Sequence, residues 1–89
     1  IDAIDRTYGL CVLYEIMKVE ELRATAPASC EVKVKEADIF YRIIEPRIQK
    51  QDSQSDTVIK AMLATGYDQM HAQVLESHLN KGLSGIRLK

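Results

Sequence analysis

The sequence predicts an all-α fold, a small bundle of four helices, with or without one short extended segment near Val32–Val34. Three observations predict it. Apolar residues recur at intervals of three and four along most of the chain, the period at which one helix face repeats. Only two prolines and four glycines interrupt 89 residues. The last third is punctuated as a compact helical pair, with an apolar stretch ending at Gly66, a second opening at Asp68, and Gly82 closing it.

The first helix is expected from Asp5, whose carboxylate can accept a first-turn amide, to about Ala24. Tyr8, Cys11, Val12, Ile16, Val19 and Leu22 follow one helical stripe, and Leu10, Leu13, Tyr14 and Met17 extend it around a second side. Such a helix asks for burial on two faces. Ala24–Ser29, with Thr25, Pro27 and Ser29, reads as a loop, because the residue before a proline is pushed out of the helical region. Glu31-Val-Lys-Val-Lys35 alternates charge with valine, as an extended connector does, or forms the first turn of the next helix. From Glu36, the residues Ile39, Phe40, Ile43, Ile44 and Ile48 repeat at helical intervals. Pro46 should kink or end that helix near Glu45, since it lacks an amide hydrogen and clashes with the carbonyl four residues back.

Residues 49–56, Gln-Lys-Gln-Asp-Ser-Gln-Ser-Asp, contain no apolar side chain and read as a flexible surface loop. Ser55 or Asp56 then caps a short helix with Val58, Ile59, Met62 and Leu63 inward, and Gly66 suits a left-handed stop. Asp68 is expected to cap the last helix, with Met70, Val74, Leu75, His78 and Leu79 on one face and Gln69, Gln73, Glu76 and Asn80 on the other. Gly82 stops it and leaves a tail in which Ile86 and Leu88 alternate.

At this length about 60% of the unfolded surface can be buried, enough for one domain with one modest core, here residues 1–89. The opening at Ile1, without methionine, reads as a fragment or a processed piece of a longer protein. The longest apolar run, Leu10 to Tyr14, is far short of the roughly 20 residues that span a bilayer, so no membrane partner is expected. Cys11 and Cys30 are too few and too far apart for a zinc site and are expected as free thiols, which favours an intracellular compartment, cytoplasm or nucleus.

The net charge is −1, with −2 over residues 1–24, 0 over 25–52 and +1 over 53–89. No region is strongly basic, which argues against sequence-independent attraction to phosphates. Lys33, Lys35, Arg42, Arg47 and Lys50 lie near Phe40 and Tyr41, but Glu31, Glu36, Asp38, Glu45 and Asp52 cancel them. His71 and His78 stand seven residues apart, roughly 10 Å along a helix, too far for one metal ion. There is no glycine-rich phosphate loop and no nucleophile with an evident base, so neither enzyme activity nor a cofactor is expected.

Helix, Gly66 turn, helix, Gly82 and a short tail is the element order of helix-turn-helix and winged-helix modules, which the stretch resembles in pattern only. That resemblance implies DNA contacts from Gln69, Gln73 and Asn80 at base edges and from Lys81, Arg87 and Lys89 at phosphates. The acidic Asp68 and Glu76, with no arginine on the helix, weigh against it. The Thr65-Gly66-Tyr67 turn resembles the Met-Gly-Phe/Tyr loop of ubiquitin-associated domains, without its methionine and with too few residues after Leu83 for a third helix. The favoured expectation is a non-catalytic protein-protein interaction or regulatory module, a homodimer joined through the first helix. Leu10, Leu13, Tyr14 and Met17 are the interface residues on that reading.

Overall fold

Residues 2–83 are described in the computed structural model, and they form four helices and no strand: α1 (Asp2–Leu22), α2 (Pro27–Gln51), α3 (Ser53–Leu63) and α4 (Ala72–Gly82). A single 3-10 turn, Tyr67–Gln69, lies between the last two. The tail with Ile86 and Leu88 lies outside the described residues.

Helix α1 begins ahead of Asp5, so that residue does not cap it. Its carboxylate instead meets Arg47 on α2 at 2.7 Å, tying the start of one helix to the end of the next. Val12, Leu13, Ile16 and Val19 enter the core, and the two helices pack along most of α1. At the far end the Cys30 thiol donates to the Val19 carbonyl at 3.5 Å, and both cysteines are free.

The expected loop at 24–29 is shorter than the sequence suggested, because Pro27 is the opening residue of α2. A proline is favourable there, since its missing amide is one that a first helical turn leaves unpaired anyway. Residues 31–35 are helical and not extended. Their alternation is local, whereas Cys30, Ala37, Tyr41, Ile44 and Ile48 keep a helical burial pattern through the whole segment. The helix also runs through Pro46, against expectation. A mid-helix proline costs about 3 kcal/mol. Here it is exposed, so water can serve the carbonyl it orphans, and Ile44 and Ile48 anchor the helix on either side.

The apolar-free stretch 49–56 is no flexible loop. Only Asp52 is non-helical within it, and it serves both neighbours. Its amide donates to the Ile48 carbonyl at 2.8 Å, and its carboxylate accepts the Ser55 amide at 3.2 Å. That second hydrogen bond holds the Asp52 carboxyl below its ordinary range. Asp52, and neither Ser55 nor Asp56, is therefore the cap of α3, while those two side chains are buried.

The turn after α3 departs from the expectation in two ways. Gly66 has φ −70° and ψ 158°, an ordinary extended conformation, so no left-handed residue ends the helix. Asp68 lies in the 3-10 turn, and α4 starts only at Ala72, after His71. The segment is fastened from outside: Arg23 donates to the carbonyls of Asp68 and Met70 at 3.3 and 3.2 Å.

Gly82 is the last residue of α4, and its smallness is what α2 needs. A β-carbon there would lie 2.5 Å from Ile48 Cγ2 and 2.8 Å from Cγ1, a branched side chain stiff near its backbone. Gly82→Ala is expected to destabilise the fold. Overpacking costs about 1–3 kcal/mol, against a helix-propensity gain of at most about 1 kcal/mol. A lowered midpoint of thermal unfolding would show it; an unchanged or raised midpoint would mean that the two helices separate easily.

Candidate functional site

The four residues expected at a self-association surface do not share one environment. Leu13 is 1% exposed and belongs to the core, which corrects its assignment to the interface. Residue 13 turns far enough around α1 from the outer stripe to be swallowed with Val12 and Ile16. Leu10 is half-buried against the core, and Tyr14 and Met17 are 51% and 38% exposed.

The more exposed apolar surface is on α2, where Val32, Ile39 and Ile43 are 57%, 61% and 49% exposed. Spacings of seven and four put them on one face, opposite Tyr41, Ile44 and Ile48 in the core. The sequence reading grouped Ile39 and Ile43 in one helical series with Phe40, Ile44 and Ile48. Drawing one helix from Pro27 to Gln51 would have separated them, but the valine alternation delays its expected start and Pro46 cuts short its expected continuation.

Beside this face runs a groove between α2 and α3 of about 860 Å³, lined in part by Val34, Ile39, Arg42, Lys60 and Leu63. It continues toward Tyr67 in a second hollow of about 500 Å³. Several charges at its edge are already engaged. Arg42 pairs with Asp38 at 3.0 Å, and Lys60 bridges Glu45 and Asp56 at 2.9 and 3.1 Å. Below it the Tyr41 hydroxyl donates to Asp56 at 2.6 Å. Burial, and next that hydrogen bond, push the Tyr41 hydroxyl far above its ordinary range, so it stays protonated as a donor.

A serine and a histidine do approach each other, Ser55 Oγ and His78 Nδ1 at 2.9 Å. The pair ties α3 to α4. Ser55 is buried, so its hydroxyl is not presented to a substrate. His71 stands exposed before α4, and among the described residues no group of three His, Cys, Asp or Glu could hold a metal ion. No described helix is long and apolar enough to cross a membrane.

Of the residues expected to touch DNA, Gln69, Gln73, Asn80 and Lys81 are exposed, and Arg87 and Lys89 lie outside the described residues. Gln69 is not on α4 but in the 3-10 turn. The connection from α3 to α4, residues 64–71, is longer than the three or four residues that set the helices of a helix-turn-helix.

One carboxylate at the α1–α2 contact is poorly served. Glu15 Oε2 is shielded from solvent and has no hydrogen-bond partner. Burial, then the charge of Glu36, raise the Glu15 carboxyl above its ordinary 4.5, with Lys33 opposing. A raised acid binds its proton more tightly in the folded than in the unfolded state. Stability therefore falls as pH rises from 4.5 through the folded-state value. Glu15→Gln is expected to raise the urea midpoint at neutral pH and to flatten this part of the pH profile. A lower midpoint at neutral pH would show that the charged form is stabilising.

Compared with known proteins, the chain matches no family model, no curated protein and no solved structure.

Proposed function

We propose that this domain is a non-catalytic protein-protein interaction module with a regulatory role, which docks a partner through apolar side chains on its outer helical faces. The observation that carries the reading is the row Val32, Ile39 and Ile43, each 49% exposed or more along one face of α2. An isolated exposed leucine or valine is ordinary, whereas an aligned set on one face is the mark of a contact surface. Tyr14 and Met17, with Leu10 at their edge, form a second and smaller face on α1.

A photo-crosslinking residue placed at position 39, and separately at position 14, tests the reading in extracts of the cells that make the protein. Protein adducts are expected at position 39. Absence of protein adducts at both positions would sink it. The second reading, DNA binding, draws on the exposed amides Gln73 and Asn80 beside Lys81 on α4. Fluorescence anisotropy with duplex DNA at about 50 mM salt, where electrostatic binding is strong, decides it. Measurable affinity lost with Gln73→Ala and Lys81→Ala would favour DNA, and no affinity is expected.

A further inference from the structure

We infer that the partner of the α2 face is a second copy of this chain, laid antiparallel across it about a two-fold axis near Tyr41. The inference rests on the interaction-module reading and names its occupant.

Val32, Glu36, Ile39, Ile43, Pro46 and Lys50 follow alternating steps of four and three along α2, the seam by which two helices pack side by side. A two-fold axis perpendicular to the helix makes such a contact self-complementary, and it brings residues equidistant from the centre together. With the centre at Tyr41, Ile39 of each copy meets Ile43 of the other, which covers the two aliphatic side chains at the middle of the face. Val32 meets the aliphatic stem of Lys50, whose ammonium stays in water.

The charges beside the seam choose this orientation. A perpendicular two-fold keeps each flank facing its own kind, so the flank with Asp38 and Arg42 meets itself reversed. Asp38 of one copy then approaches Arg42 of the other. The Asp38–Arg42 pair already present within each chain is extended to a ring of four alternating charges. On the opposite flank Glu36 approaches Arg47 of the second copy, where Arg47 already binds Asp5. A parallel arrangement would set Glu36 on Glu36 and Lys50 on Lys50, both of them seam positions. Like charges placed opposite cost several kcal/mol, so the parallel arrangement is disfavoured. The net charge of −1 per chain adds little long-range repulsion between copies.

A standard interface takes about 800 Å² from each partner. The surface of the domain is 5289 Å², so about a sixth of it would be covered. Helix α2, at about 1.5 Å per residue, is long enough to supply much of that contact.

The test is sedimentation equilibrium of the full chain up to about 0.1 mM, with folding followed by circular dichroism. A dimer is expected for the wild type, and a monomer of unchanged helicity for Ile39→Glu with Ile43→Glu. Charge reversal reads the register. Asp38→Arg and Arg42→Asp chains should each self-associate about a hundredfold more weakly, and a mixture of the two should form a heterodimer. The inference is overturned by a wild type that stays monomeric, by a dimer indifferent to these α2 changes, or by single variants that do not pair on mixing. A monomeric chain that still yields adducts to a different protein from position 39 overturns this inference while leaving the interaction-module reading standing.

Discussion

Asp56→Ala should lower the free energy of unfolding by about 1–4 kcal/mol, the cost of leaving the buried Tyr41 hydroxyl without an acceptor together with the loss of one half-exposed ion pair. A domain of this size has about 4–13 kcal/mol in total, so the loss is a large fraction of it. Asp56 is 2% exposed and holds two groups at once, the Tyr41 hydroxyl from α2 and the Lys60 ammonium one turn along α3. The first matters more. Tyr41 is as buried as Asp56, so its hydroxyl would be left without an acceptor where water cannot replace one, at about 1–3 kcal/mol. Lys60 is half exposed and keeps Glu45, a pair worth about 0–1 kcal/mol. Tyr41→Phe should therefore cost less than Asp56→Ala, and the double variant less than the sum of the two. Urea unfolding of the four proteins measures the cycle. Additive losses would mean that the hydroxyl and the carboxylate do not act as a unit.

The second large effect separates two adjacent residues of α1. Leu13→Ala should cost about 2–5 kcal/mol, as truncation of a fully buried leucine does, while Tyr14→Ala should change stability by no more than about 0.5 kcal/mol. The contrast checks where the inner face of α1 ends. Equal losses at both positions would place Tyr14 under cover, and a negligible loss at Leu13 would return it to the surface.

The two cases show what can be read from the sequence and what cannot. The helical class and the number of helices follow from spacing alone, because a 3.6-residue period survives most local accidents. Of the apolar face expected for the last helix, Leu75 and Leu79 are buried for the same reason, whereas Val74 is 42% exposed. Where the reading failed, a local signal was overruled by packing at a distance. Val32 and Val34 alternate with charges as a strand does, yet Cys30 before them and Ala37 after them are already committed to the core. Pro46 argues for an end, but Ile48 holds the chain in place beyond it.

Burial itself misled at Ser55 and Asp56. A stretch without apolar residues suggests solvent, and these two side chains are satisfied inside the protein by His78 and Tyr41, partners that lie 23 and 15 residues away. No window of sequence contains both ends of such a bond. The candidate surface was legible only in part. The wide apolar girth of α1 was visible, but whether Leu13 or Tyr14 faced out depended on how the remaining helices pack around it. The face on α2 could not be drawn until that helix was known to be continuous.

The joint at Asp52 has a practical side. By composition, residues 49–56 are where one would insert a tag, graft a loop or expect a protease to cut, since exposed polar linkers tolerate such changes. Here one residue ends a helix and starts the next, and the side chains of Ser55 and Asp56 just beyond it are locked into the interior. Cleavage requires several residues of extended chain, which this joint can supply only by unwinding both helices. The permissive place is instead the exposed run Ala64 to Gly66, which lies between helices. A splice made at the apparent linker would divide the molecule at its least forgiving point.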